Sequence, residues 1–161
     1  MVLEGPKELL DQTENTQPAI FLVSYSIFKV IKNETQFDIN SAKFFAGHSL
    51  GEYSALACSG SINFEQTIKL LQIRGKSMQT AVPKGKGGMF AVLGSDIEKV
   101  NEIINLNKDR FKCFIANDNS VGQIVVSGNT IDLNNFSEEL KKNNIKNIKL
   151  PVSAPFHCEL M

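Results

Sequence analysis

Apolar side chains recur at helical intervals along the first half of the chain, and the second half switches regularly between strand and helix periods. Val2, Leu3, Leu9 and Leu10 mark one helical pattern over Val2–Asp11. Thr16-Gln17-Pro18 reads as the opening of a second helix, with a hydroxyl at the cap and proline in the first turn, where no amide donor is needed. The apolar members Ile20, Val23, Ile27, Val30 and Ile31 predict that this helix is buried over most of its circumference. Polar residues then lead into Lys43–Ala46, whose aromatics predict a short buried strand, followed by a helix over Leu50–Cys58. Asn63 with Gln66 has the form of an N-cap with glutamine at the third position. The helix it opens is expected to run to about Ala81, with Phe64, Ile68, Leu71 and Met78 on its inner side.

Pro83-Lys84-Gly85-Lys86-Gly87-Gly88 is a hinge by composition. Beyond it the pattern predicts strands over Met89–Leu93, Lys112–Ala116, Gln123–Ser127 and Ile145–Leu150. Helices are expected from Ser95 to about Asn107, opened by a Ser95–Glu98 capping box, and from about Asp132 to Lys142. The order β-α-β-β-α-β is that of a ferredoxin-like subdomain, here spanning residues 87–150. Pro151 to Met161 is an extended, proline-interrupted return, so residues 1–86 and 151–161 are expected to form the other domain.

Composition narrows the partners. Lysine plus arginine and aspartate plus glutamate number 17 each, so no global field favours nucleic acid or an anionic membrane. The cysteines, Cys58, Cys113 and Cys158, are odd in number and share no CxxC spacing, which fits a reducing compartment and argues against structural zinc. The most apolar stretch, Ala19–Ile31, is too short to span a bilayer and carries Ser24, Ser26 and Lys29. No signal peptide is visible, and the 161 residues suffice for a buried core.

The chemistry centres on Gly47-His48-Ser49-Leu50-Gly51. A strand that turns sharply into a helix brings its flanking backbones together, so Gly47 and Gly51 are expected where a Cβ would collide. Such an elbow holds its serine in a strained conformation with the hydroxyl exposed beside the amides that open the helix, chiefly that of Leu50. Those amides can stabilise an oxyanion, and the chemistry this suits is acyl transfer through an acyl-serine. Of the two histidines, His48 adjoins the serine and should point away from its Oγ. If a general base exists, histidine is the residue type for it and His157 the better copy, although a loop histidine alone is more often a bystander. Arg74 lies on the apolar side of its helix, where a guanidinium must either snorkel to water or meet a carboxylate.

Together these segments resemble the malonyl-CoA:acyl carrier protein transacylases. The resemblance is carried by Gln17-Pro18-Ala19, Gly47-His48-Ser49-Leu50-Gly51-Glu52-Tyr53, Gln72-Ile73-Arg74-Gly75 with Met78-Gln79, Asn117 through Gly122-Gln123 to Ser127-Gly128, and Pro151-Val152-Ser153 ahead of Phe156-His157. It implies an α/β-hydrolase-like acyltransferase core with an inserted ferredoxin-like subdomain. Ser49 would be the nucleophile, His157 the general base and later acid, and Leu50 the donor of an oxyanion N–H. Arg74 would hold the malonyl carboxylate, because a planar fork makes two parallel charge-assisted bonds. Asn117 and Gln123 would line the substrate cleft. The implied partners are malonyl-CoA and an acyl carrier protein, whose phosphopantetheine thiol receives the acyl group, with no metal, no cofactor of the enzyme's own, no nucleic acid and no membrane. Lys84, Lys86, Lys141, Lys142, Lys146 and Lys149 could face an acidic carrier or simply be solvated. The implied location is cytoplasmic, or organellar if a targeting segment has been removed.

Departures from the family qualify this. No Gly-Gln-Gly-x-x-Gln strand precedes the chain, and the strands that follow the Phe-His segment in relatives are missing, so the chain reads as the middle of a transacylase. Competing readings are a polyketide-synthase-type acyltransferase, a serine esterase, for which Arg74 would have no purpose, and a catalytically incomplete fragment acting only as a binding module.

Overall fold

The computed structural model describes residues 2–152 and 154–161, which divide into two compact units, Met1–Ser77 and Met78–Met161. Helix and sheet are both present, and the fold is α/β.

The first unit is helical. Of the helical pattern read over Val2–Asp11 only a single turn, α1 (Lys7–Leu10), forms, with Pro6 at its N-cap. Helix α2 (Thr13–Glu34) starts three residues before the expected cap, and Pro18 lies inside it. Thr16 therefore does not cap. Its hydroxyl donates to the carbonyls of Leu10 at 2.5 Å and Gln12 at 3.1 Å, tying the end of α1 to the start of α2. Helix α3 (Gly51–Cys58) and helix α4 (Phe64–Ala81) complete the unit, and α4 runs on past Ser77. Asn63 caps α4 as read, its Oδ1 accepting from the Gln66 amide at 2.8 Å.

Two expectations fail here for one physical reason. The buried positions of α2 are Thr13, Gln17 and Phe21, whereas Ile20, Val23, Ile27 and Val30 are exposed, Ile27 by 55%. Lys43–Ala46 forms no strand, and Phe44 is 89% exposed. A strand exists only through a paired neighbour and an apolar face is buried only beneath another element. Among the described residues neither is supplied. What the unit does bury is a small cluster of Phe21, Leu71 and Ala57, with Phe64 stacked on Phe21 at 5.4 Å between ring centroids. Gly75 lets α4 approach the start of α2: a Cβ there would lie 2.5 Å from the Glu14 Cα.

The second unit is a four-stranded antiparallel sheet in the order β2-β3-β1-β4. In chain order its elements are β1 (Gly87–Leu93), α5 (Ile97–Leu106), β2 (Cys113–Ser120), β3 (Gln123–Asn129), α6 (Thr130–Lys142) and β4 (Lys146–Lys149). Phe90 and Val92 of β1 pair with Val126 and Ile124 of β3, and all four point to the side on which Val100, Ile103, Leu133, Phe136 and Leu140 of the helices complete the core. The cap of α5 is Asp96 rather than Ser95, its Oδ1 accepting from the Lys99 amide at 2.7 Å. Asn129 likewise caps α6 through the Asp132 amide at 2.8 Å, so β3 passes directly into that helix.

The opposite face of this sheet carries residues 154–156. Ala154 and Pro155 are buried, and a Cβ on Gly87 would lie 2.4 Å from the Pro155 ring. Among the described residues no helix is long and apolar enough to cross a membrane.

Candidate active site

The turn ahead of α3 has the strained geometry of a nucleophile elbow. Ser49 adopts φ +55°, a left-handed conformation that a non-glycine residue holds only when its surroundings impose it. What imposes it is the approach of Gly47 to the first residues of α3, since a Cβ on Gly47 would lie 1.9 Å from the Gly51 carbonyl oxygen. Gly51 itself is different. A Cβ there meets nothing within 4 Å, so only the first of the two expected collisions exists. The amides of Gly51, Glu52 and Tyr53 bond to the carbonyls of His48, Ser49 and Leu50 at 2.9, 3.2 and 3.1 Å. Among the described residues the Leu50 N–H, one residue after the serine, has no backbone acceptor. An open amide at the start of a helix is the group an oxyanion needs. His48 lines a cavity of about 490 Å³ with Phe28, Phe45, Leu50 and Ser54, which Ser49 does not line.

Arg74 of α4 reaches this turn. Its Nη2 donates to Ser49 Oγ at 3.1 Å, and its Nη1 donates to Gln17 Oε1 at 2.5 Å. The Tyr53 ring lies 5.8 Å from its guanidinium carbon, within cation–π range. Among the described residues no carboxylate pairs with Arg74, and the side chain is half-buried rather than buried. A guanidinium held by two neutral oxygens beside a strained serine keeps its charge available for an anion.

Gln17 is the residue that sequence reasoning left without a role. It was visible in the Gln17-Pro18-Ala19 segment, yet only the fold reveals that it is 4% exposed and aimed at an arginine 57 positions away. Its Nε2 donates to Thr13 Oγ1 at 3.0 Å, one turn earlier on α2.

The second unit holds the other candidates. Asn117 sits in β2 opposite Val125, between two register shifts of the β2–β3 ladder. Such bulges re-aim side chains. Gln123 opens β3 after the Val121-Gly122 turn and is exposed. His157 is exposed and takes φ +57°. Its position along the chain is set by Ser127, fully buried on β3, whose Oγ donates to the Phe156 carbonyl at 2.6 Å, and by the buried Pro155. In the sequence Ser127 stands out only as part of the Ser127-Gly128 motif. Glu159 pairs with Lys112 at 2.8 Å on the surface beyond it.

No cluster of three or more His, Cys, Asp or Glu side chains among the described residues could hold a metal. The cysteines are quiet: burial, with smaller contributions from Asp132 and Cys158, pushes the Cys113 thiol up to about 12, and burial also raises Cys58 and Cys158. None is poised as a thiolate nucleophile.

This chain belongs to the acyl transferase domain family, whose model matches residues 1–161. The malonyl CoA-acyl carrier protein transacylase of Haemophilus influenzae is 40% identical over 162 residues, covering 100% of this chain and 51% of that protein. The crystal structure of the acyl-carrier-protein S-malonyltransferase from Bartonella henselae superposes with a TM-score of 0.90 at 42% identity, over 98% of this chain and 50% of that one. A malonyl-transacylase solved in complex with a type II PKS acyl-carrier protein matches with a TM-score of 0.90 at 38% identity, over 98% of this chain and 50% of that chain. The chain thus spans about half the length of the curated relatives it matches.

Proposed function

We propose that this chain carries the nucleophile half of a malonyl-CoA:acyl carrier protein transacylase, which moves a malonyl group from malonyl-CoA to the phosphopantetheine thiol of an acyl carrier protein in fatty-acid synthesis. The observation that carries the proposal is the Arg74 guanidinium, without a carboxylate partner among the described residues, one hydrogen bond from Ser49 Oγ. An esterase for neutral acyl groups has no use for that charge. A malonyl group ends in a carboxylate that a planar fork binds with two parallel charge-assisted bonds.

In this reading Ser49 Oγ attacks the thioester carbonyl and gives its proton to His157, while the Leu50 N–H stabilises the oxyanion. Collapse breaks the C–S bond, the coenzyme A thiolate takes the proton back from the imidazolium, and malonyl-Ser49 remains. The carrier thiol then gives its proton to His157 and attacks the acyl-serine, and Oγ leaves with that proton. The cycle needs no metal or redox cofactor. Asn117 and Gln123 line the cleft for the acyl donor, and the enzyme works in the cytoplasm.

At the level of fold, we read the second unit's sheet, with its 4-1-3-2 strand order and its helices on one face, as a ferredoxin-like subdomain over residues 87–150. Residues 1–86 and 151–161 belong to an α/β-hydrolase-like core. The elbow at Ser49 supports that assignment. A second reading keeps the chemistry and changes the pathway, because one solved relative is bound to a type II PKS acyl-carrier protein.

Intact-mass spectrometry of the protein after brief exposure to malonyl-CoA tests the proposal. The expected result is a gain of one malonyl group that is absent in Ser49→Ala. A gain that persists in Ser49→Ala, or hydrolysis of simple esters indifferent to Arg74→Ala, would overturn it. Transfer to fatty-acid or polyketide carrier proteins in parallel separates the two pathways.

A further inference from the structure

The charge of Arg74 can select an acyl group only if the guanidinium is held in one orientation and is not neutralised by the protein. Both conditions trace to α2. Gln17 and Thr13 are buried polar side chains one helical turn apart, at 4% and 7% exposure. A guanidinium has only donors, so the amide end of Gln17 that faces Arg74 must be its oxygen, and the hydrogen bond at 2.5 Å is made by Oε1. The nitrogen end is then directed at Thr13, whose Oγ1 accepts it at 3.0 Å. The guanidinium thereby fixes which way round the amide sits, and the threonine hydroxyl anchors its far end.

The result is a relay, Thr13 to Gln17 to Arg74, buried at its α2 end and half-buried where it reaches Ser49 Oγ. Gln17 takes one donor of Nη1 and Ser49 Oγ one of Nη2, and among the described residues no carboxylate takes the others. Because Gln17 is an amide and not a carboxylate, it orients the guanidinium without cancelling its charge. A glutamate would have nearly the same shape and the opposite consequence: a closed ion pair that meets an incoming carboxylate with like charge.

We propose that Thr13 and Gln17 are positioning residues for acyl selectivity, holding Arg74 toward Ser49 while reserving its charge for the carboxylate of the acyl group. This rests on the reading of Arg74 as the carboxylate-binding group. Neither residue touches the reacting atoms. Their effect is therefore on the choice between a carboxylated and a neutral acyl donor, and not on acyl transfer as such.

The test compares acylation rates of Ser49 by malonyl-CoA and by acetyl-CoA in the full protein, read by intact mass. Gln17→Glu is expected to lower the malonyl rate on the order of 100-fold, the scale of a like-charge juxtaposition at a desolvated site, while the acetyl rate stays within a few-fold of wild type. Thr13→Val is expected to raise the KM for malonyl-CoA more than it lowers kcat, and Thr13→Ser, which keeps the hydroxyl, to restore it. The acetyl rate serves as the control for folding. Equal losses for both donors in Gln17→Glu and Thr13→Val, with no recovery in Thr13→Ser, would make the relay merely structural and overturn the inference. A wild-type protein whose malonyl labelling survives Ser49→Ala would instead overturn the transacylase reading, which is a separate outcome.

Discussion

Arg74 Nη2 donates to Ser49 Oγ at 3.1 Å, joining residues 25 positions apart through a turn and a helix. A fixed positive charge therefore stands beside the proposed nucleophile. The serine oxygen acts there as an acceptor, so its own proton remains available to a base.

Selectivity follows from the shape of that charge. Arg74→Ala is expected to cut malonyl labelling of Ser49 by about 100-fold or more, since hydrogen bonds to charged groups contribute roughly 1.5–3 kcal/mol each. Arg74→Lys keeps the charge but loses the fork, and should fall between the two. Labelling kinetics with malonyl-CoA and acetyl-CoA check this: a malonyl-to-acetyl ratio unchanged in Arg74→Ala would remove Arg74 from substrate recognition.

The two glycines of the elbow should respond differently. In Gly47→Ala the new methyl would lie 1.9 Å from a backbone oxygen that cannot move without shifting α3. A loss of stability on the order of 3 kcal/mol is expected, as for severe overpacking. Gly51→Ala meets open space at the first residue of α3 and should be neutral or gain up to about 1 kcal/mol from helix propensity. Urea melts of the two variants measure the contrast, and equal effects would contradict the geometry.

Ser127→Ala should loosen the segment that carries His157. The Oγ that donates to the Phe156 carbonyl at 2.6 Å is fully buried, so its loss is expected to destabilise the second unit by about 1–2 kcal/mol. Faster hydrogen exchange at residues 154–158 together with slower acylation is the expected pair of effects. Ser127→Thr, which keeps the hydroxyl, should recover part of both.

Alkaline conditions should weaken the second unit through Cys113. Its folded thiol is pushed from an ordinary 9.0 up to about 12, chiefly by burial. Folded and unfolded chains are both protonated below the ordinary value, so this contribution is fully present there. As pH rises further the unfolded thiol ionises first, and stability is lost until the folded thiol titrates too. The slope approaches about 1.4 kcal/mol per pH unit. Denaturant melts from about pH 8 to about pH 10 should show a decline that is smaller in Cys113→Ala. Identical slopes in the two proteins would remove Cys113 as the cause.

Much of this was legible in local pattern. The turn around Ser49, the helix from Asn63 to Ala81 and the strand–helix alternation after Gly87 are set by nearest-neighbour chemistry: caps, glycines and apolar periods. Cap residues are less legible in local pattern. Ser95 and Asp96 are both competent caps, and it is the Asp96 carboxylate that takes the Lys99 amide. Periodicity also cannot say what covers an apolar face. Ile20, Ile27 and Val30 read as buried, yet the face that α2 buries is the one holding Gln17 and Phe21.

The sequence by itself determined the strained turn at Ser49 and the order of the elements after Gly87, because each depends on residues within a turn or two of one another. Only the tertiary structure decided that Gln17 faces Arg74 from 57 positions away, that Ser127 holds the Phe156 carbonyl, and that Gly47 rather than Gly51 carries the steric constraint. Those relationships depend on where helices and strands pack. A hydrogen bond between residues distant in sequence leaves no period in the chain to read.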